Sequence, residues 1–371
     1  MKQRVDASRA VLVTMLMAVM VAGCGQQDDE LTQQSSQQAL QPLALESAQA
    51  ISAAEARPLV VYSSRAEHLI RPVFELYTQQ TGRDIKFITD KAGVLIERLK
   101  QEGESTPADV LITVDAGNLG YAASEGLLLP LVSPVLEASV PAYLRDEQNR
   151  WAGLSLRART IVYSTERVTA DDLSSYQALG DDSWQGFVCL RTSKKVYNQS
   201  LVAMLIAEHG EQKAQQIVTA WVNNLAVAPL SNDTKVMQAI VAGQCDVGIV
   251  NSYYYGRMKV ADPNLPLALF WPNQNEDENS QTGVHVNISG AGVLKHSQQA
   301  AAAQTFVEWM ASDDAQTVFG SVNQEYPVNP AIAVDPEVLS WGEFKASQLP
   351  LSRAYELQPA AVKLMDRAGY R

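Results

Sequence analysis

The run Asn251-Ser252-Tyr253-Tyr254-Tyr255 follows directly on Asp246–Val250, a short apolar segment that reads as a buried strand. Side chains alternate faces along a strand, so neighbouring tyrosines converge on one point only where the chain has left strand geometry. Tyr197 stands in a comparable place, a few residues beyond the strand expected at Phe187–Arg191 and just before a helix beginning near Ser200. Tyr163 ends a long apolar segment of its own. Strand ends of one sheet share an edge, so Tyr197, Tyr253 and Tyr254 are placed to meet. A phenol, with a pKa of about 10, keeps its proton at neutral pH unless a strong cation drives it off. Ferric iron is small, hard and trivalent, and three phenolates match its charge; soft ions such as Cu(I) prefer thiolate or thioether. The same tyrosines are also compatible with core packing or with stacking on a sugar, and the residues alone leave these readings open.

Other chemistry is poorly supplied. The sequence has no His-Glu-x-x-His, no Gly-x-Ser-x-Gly, no phosphate loop and no dinucleotide fingerprint. Ser289-Gly290-Ala291-Gly292 lacks the third glycine and the following helix pattern, and reads as a strand bend. The histidines at 68, 209, 285 and 296 never pair at ligand spacing; His209 ends an expected helix, where a cation favours the dipole. Cys189 and Cys245 lie in or beside expected strands. They form either a disulfide, as an exported protein permits, or two buried thiols. The chain is not expected to be an enzyme. A hydrolase using Ser63 or Ser64 near Arg65 is the one enzymatic alternative.

The elements that must position these groups read as α/β. Leu59–Tyr62, Asp84–Thr89 and Asp109–Val114 are expected strands, separated by helices over His68–Gln80 and Val94–Lys100, with a further helix over Leu119–Gly126. This βαβαβ run implies a parallel sheet with right-handed crossovers. Pro72 is placed near a helix start, where a missing N–H is harmless. Leu154–Tyr163 is a long strand bridging into a second, similar set of elements. In open α/β sheets ligands bind beyond the carboxyl ends of strands, where the tyrosines stand.

The 371 residues carry 41 acidic and 29 basic side chains for a net charge of −12, which argues against a nucleic-acid partner. The length favours two domains. Residues 1–23 have a basic start and an apolar run from Ala10 to Ala22, too short to span a bilayer, and read as a signal peptide. Val21-Ala22-Gly23-Cys24 resembles a lipobox, with Cys24 as the lipidated residue. Residues 24–57 are rich in Gln, Ser and Ala without aromatics, and read as a flexible tether reaching roughly 30 Å. No later segment is apolar enough to cross a membrane.

Taken together, several blocks resemble the bacterial ferric-iron-binding proteins of ABC transporters, a branch of the periplasmic solute-binding proteins. They are Val61-Tyr62-Ser63-Ser64-Arg65, Thr106-Pro107-Ala108-Asp109-Val110, Trp151 through Leu156-Arg157-Ala158-Arg159 to Tyr163, Val196-Tyr197-Asn198-Gln199-Ser200, Asn251-Ser252-Tyr253-Tyr254, His285-Val286-Asn287-Ile288-Ser289-Gly290 and Asn323-Gln324-Glu325-Tyr326-Pro327-Val328. The resemblance implies a two-lobed fold with a hinged cleft, each lobe a sheet flanked by helices. The first lobe would comprise 58–155 and about 280–330, the second about 156–279 and 331–371. It implies Fe(III) bound by Tyr197, Tyr253 and Tyr254, with a small anion such as carbonate held by Arg65, Arg157 or Arg159. Where some members carry a first-lobe histidine or tyrosine, this chain has Ala66 and Glu67, and where others carry a glutamate it has Val114 and Asp115. Glu67 and His68 are the substitutes in that lobe, and Tyr163 and Asn251 are further candidates around the metal. The resemblance also implies a monomeric receptor, exported to the periplasm or cell surface, held to the membrane only by its lipid and delivering to an ABC permease. A binding protein of the same fold for a small organic or anionic nutrient is the alternative.

Overall fold

A computed structural model describes residues 57–274 and 281–371. The signal segment, Cys24 and the tether up to residue 56 lie outside the described residues. Among the described residues no helix is long and apolar enough to cross a membrane.

The chain opens with β1 (Leu59–Ser63), α1 (Glu67–Thr81), β2 (Ile85–Thr89), α2 (Ala92–Glu102), β3 (Val110–Thr113) and α3 (Ala116–Ser124). β1 pairs in parallel with both β2 and β3. Its near-continuous apolar run, Leu-Val-Val-Tyr, suits a parallel strand covered on both faces. After α4 (Pro134–Ser139), whose first turn is capped by the Ser133 hydroxyl, comes β4 (Ala152–Ser164), buried along almost its whole length. Then follow β5 (Val188–Cys189), α5 (Val196–His209), α6 (Glu211–Asn223), α7 (Asp233–Val241), β6 (Val247–Asn251), α8 (Ser252–Ala261), β7 (Leu267–Phe270) and β8 (Val286–Val293). The chain closes with α9 (Ala300–Trp309), α10 (Asp313–Asn323), α11 (Pro336–Leu339) and α12 (Ser352–Arg367). The result is a mixed α/β fold with helices flanking the sheet.

The strand order is β2-β1-β3-β8-β4-β6-β5, with β7 also on β4. β4 serves two sets of partners. Its residues from Ala152 to Ala158 pair with β8, and those from Arg159 onward pair with β6 and β7. Arg157 and Arg159 therefore straddle the handover.

Buried apolar side chains gather on both sides of that point. One core unites Val61, Ile70, Leu111, Trp151, Ile288 and Phe306. A second unites Ile161, Tyr176, Leu201 and Trp221, and a third Val162, Met237, Val250 and Tyr255. The C-terminal stretch divides between them: Val338 and Leu351 join the first core, Leu364 and Met365 the second.

Three local expectations are corrected. β5 has two residues, not five, because the chain beyond Cys189 leaves β6 and Arg191 bridges to Leu230 instead. α5 begins at Val196, which puts Tyr197 inside its first turn rather than ahead of it. Pro72 is the sixth residue of α1, past the turn whose N–H groups are free, so the His68 carbonyl loses its partner along the helix.

Candidate metal centre

β5 and β6 run parallel, and each feeds a helix whose first turn carries tyrosines: Tyr197 on α5, Tyr253 and Tyr254 on α8. Gly248 permits the close strand approach, since a Cβ there would meet the Cys189 carbonyl at 2.7 Å. The two helix N-termini therefore emerge at one edge, where unpaired N–H groups and the positive dipole end favour anions. The rings of Tyr253 and Tyr254 have centroids 4.5 Å apart. Asn251 Nδ2 donates to the Tyr253 oxygen at 3.1 Å. Tyr197 and Tyr253 are buried, Tyr254 partly so.

Cations surround the phenols. The Tyr197 ring centre lies 5.2 Å from the Arg157 guanidinium carbon, 5.4 Å from that of Arg191 and 5.0 Å from Lys195 Nζ. Arg257, one turn along α8, covers Tyr253 at 4.9 Å and Tyr254 at 5.8 Å. Burial pushes the Tyr197 hydroxyl above its ordinary pKa, against the pull of Arg157. Burial, with the neighbouring Tyr197 and Tyr254, pushes Tyr253 well up. Burial and the Arg191 charge push Lys195 down. Without metal Tyr197 and Tyr253 are thus neutral, and a strong Lewis acid must displace their protons.

A polar layer supports them. Asp115, wholly buried, accepts from Gly117 N at 2.9 Å, Ser200 Oγ at 3.0 Å and Asn287 Nδ2 at 3.0 Å, and faces Arg157 Nη2 at 3.4 Å. Arg157 Nη1 is buried with no partner. Arg159 Nη1 reaches Asp233 at 3.1 Å and Asn251 Oδ1 at 2.9 Å. His285 lines the same small pocket as Arg157, Arg159, Tyr197, Asn251 and Asn287, and burial beside the two arginines pushes its pKa down to about 3.

The structure brings together Tyr197, Tyr253, Tyr254, Asn251, Arg157 and Arg159. It does not bring Arg65 to them. That guanidinium is buried against Glu325 at 2.5 Å and Ser155 at 3.4 Å, with Ser289 as a third partner. Glu67 and His68 sit exposed in the first turn of α1, with Glu67 paired to Arg71. Tyr163 pairs with Val247 and Ala268; it stands four residues along β4 from Arg159, or roughly 13 Å. Cys189 and Cys245 form a disulfide with Cα atoms 5.9 Å apart. Ser63 and Ser64 accept hydrogen bonds from the backbone N–H groups of Arg65 and Val114.

Sequence reasoning missed Arg191, Lys195, Asp233 and Arg257. Arg257 was discoverable, since it follows Tyr253 and Tyr254 at four and three residues, the spacing that stacks side chains on one helix face. Among the described residues no three His, Cys, Asp or Glu side chains gather as a metal-binding group. The donor set is phenolic oxygen, which suits a hard trivalent ion.

Comparison with known proteins places this geometry in context. Residues 62–317 match the family model described as bacterial extracellular solute-binding protein. The iron uptake protein A2 of Synechocystis sp. is 40% identical over 86% of this chain and 92% of its own length. The major ferric iron-binding protein of Neisseria meningitidis is 26% identical over 84% of this chain and 93% of its own. A solved structure of the Trichodesmium protein FutA in complex with iron and citrate superposes with a TM-score of 0.81 at 38% identity, covering 85% of this chain and all of that one. The chain belongs to the bacterial extracellular solute-binding protein family.

Proposed function

We propose that this protein is an extracytoplasmic Fe(III) receptor that hands its ion to an ABC-type import permease. The observation that carries the reading is the convergence of Tyr197, Tyr253 and Tyr254 at two adjacent helix N-termini, with the Tyr253 and Tyr254 rings in contact. Phenolates there supply three hard anionic oxygens, and relatives with this fold are named for iron uptake or ferric binding. Three protein oxygens leave an octahedral ion with open positions. Arg157, with its unpartnered Nη1, is the group to hold a small planar anion such as carbonate there. Arg159 is already engaged by Asn198, Asp233 and Asn251. Residues 1–23 direct export, and Cys24 carries the lipid that holds the receptor at the membrane. The receptor acts as a monomer.

A second reading rests on the cations. Arg157, Arg191, Lys195 and Arg257 around neutral phenols would also suit a small anionic nutrient. Metal analysis of protein purified without added iron, with calorimetry against Fe(III) and a panel of small anions, separates the two. Stoichiometric iron and heat on Fe(III) addition support the first. Anion binding to metal-free protein, with no iron uptake, supports the second.

A further inference from the structure

Asp233, the first residue of α7, is fully buried and accepts hydrogen bonds from Arg159, Arg191 and the Asn251 backbone. Its Oδ2 accepts from Arg159 Nη1 at 3.1 Å and from the backbone N–H of Asn251 at 3.1 Å; its Oδ1 accepts from Arg191 Nη1 at 3.3 Å. One carboxylate thus ties together the middle of β4, the end of β6 and the segment after β5. Each tie leads to a phenol. Asn251 directly precedes the helix of Tyr253 and Tyr254 and donates to Tyr253. Arg191 lies over the Tyr197 ring, its guanidinium carbon 5.4 Å from the centroid. A buried carboxylate needs compensation, but a single well-placed arginine supplies the opposite charge. A second buried arginine, whose Nε has no partner, is more cation than the core requires.

We infer that Asp233 is a positioning residue for the iron site: it holds Arg191 against Tyr197 and holds Asn251 beneath Tyr253. The inference rests on the ferric reading above. A guanidinium held beside a phenolate stabilises its negative charge, so charge transfer from that oxygen to iron absorbs at shorter wavelength. Loss of Arg191 therefore moves the band to longer wavelength.

Asp233→Asn separates positioning from a simple field effect, because the two predict opposite signs. If the carboxylate acted by its charge alone, removing it would leave the site more positive and move the band to shorter wavelength. If it positions Arg191, its loss frees the guanidinium and moves the band to longer wavelength, as Arg191→Met does. The experiment loads wild type, Asp233→Asn, Arg191→Met and Arg191→Lys with Fe(III) and records visible spectra and iron release to a chelator. The expected result is a longer-wavelength band and release faster by about tenfold or more in Asp233→Asn and Arg191→Met, the usual scale for a residue behind a ligand. Arg191→Lys, which keeps the charge without the fork, falls between. A coloured wild type with an unshifted or shorter-wavelength band in Asp233→Asn overturns the inference. If Asp233→Asn does not fold, an unshifted band in Arg191→Met overturns it instead. A wild type that takes up iron with no visible band, or takes up none, overturns the ferric tyrosinate reading itself.

Discussion

Asn251 donates its side-chain amide N–H to the hydroxyl oxygen of Tyr253 at 3.1 Å while its own Oδ1 accepts from Arg159 at 2.9 Å. The donor points at the oxygen that would bear negative charge, so it favours the phenolate. Hydrogen bonds to charged groups contribute about 1.5–3 kcal/mol. Asn251→Leu, close in size, is therefore expected to weaken Fe(III) binding by roughly 10- to 100-fold, measured by competition against a chelator. Unchanged affinity would remove Asn251 from the site.

Iron affinity should fall with pH. Tyr197 and Tyr253 both sit above the ordinary phenol range, chiefly through burial, so both are protonated in metal-free protein at neutral pH. Each one that binds as phenolate releases a proton, and each then adds about one unit to the slope of log affinity against pH. A slope of two to three is expected between pH 6 and 8, corrected for the competitor's own protonation. A slope of zero would mean that the phenols stay neutral on binding.

His285 makes a separate contribution to stability. Buried beside Arg159 and Arg157, its pKa is pushed down to about 3, against about 6.5 when unfolded. Above pH 6.5 both states are neutral there and the group contributes nothing. Below it the unfolded chain binds a proton that the folded one refuses, so stability falls by up to about 1.4 kcal/mol per pH unit down to pH 3. Denaturant melts of His285→Gln should show a shallower loss across pH 6.5 to 4 than wild type. Parallel curves would contradict this.

The disulfide joins the two strands that feed the tyrosine helices. Cys189 lies in β5, and Cys245 stands two residues ahead of β6, at a sequence separation of 56. Closing a loop of that length stabilises the fold by about 4 kcal/mol on the chain-entropy account. A Cys189→Ala, Cys245→Ala double variant should lose about 2–4 kcal/mol in denaturant melts. It should also release iron faster than wild type at a temperature where both are folded. Normal release with lowered stability would confine the bridge to the fold.

The strand–helix alternation was legible because it depends on local apolar runs: the expected strands agree with β1, β2 and β3 to within one residue at each end and with β4 to within two. Placing the three tyrosines at one edge followed from the same logic, since parallel strands bring the starts of their helices together. α8 was not legible. Its aromatic start is a poor helix former and its buried residues cluster in the first turn without a stripe. The pairing of Arg65 with Glu325 was not legible because the two lie 260 residues apart, a pairing that no local pattern encodes. Asp233 and Arg191 escaped for the same reason: their meeting depends on where β5 ends early and the chain turns to Leu230.

The most direct test is an Fe(III) titration at neutral pH with bicarbonate, followed by visible absorption, of wild type and of a Tyr197→Phe, Tyr253→Phe, Tyr254→Phe variant. Wild type should develop a phenolate-to-iron charge-transfer band that saturates at one iron per chain, and the variant should stay colourless with its melting curve intact. A colourless wild type, or a variant that keeps the band, would contradict the claim that these three phenols hold the metal.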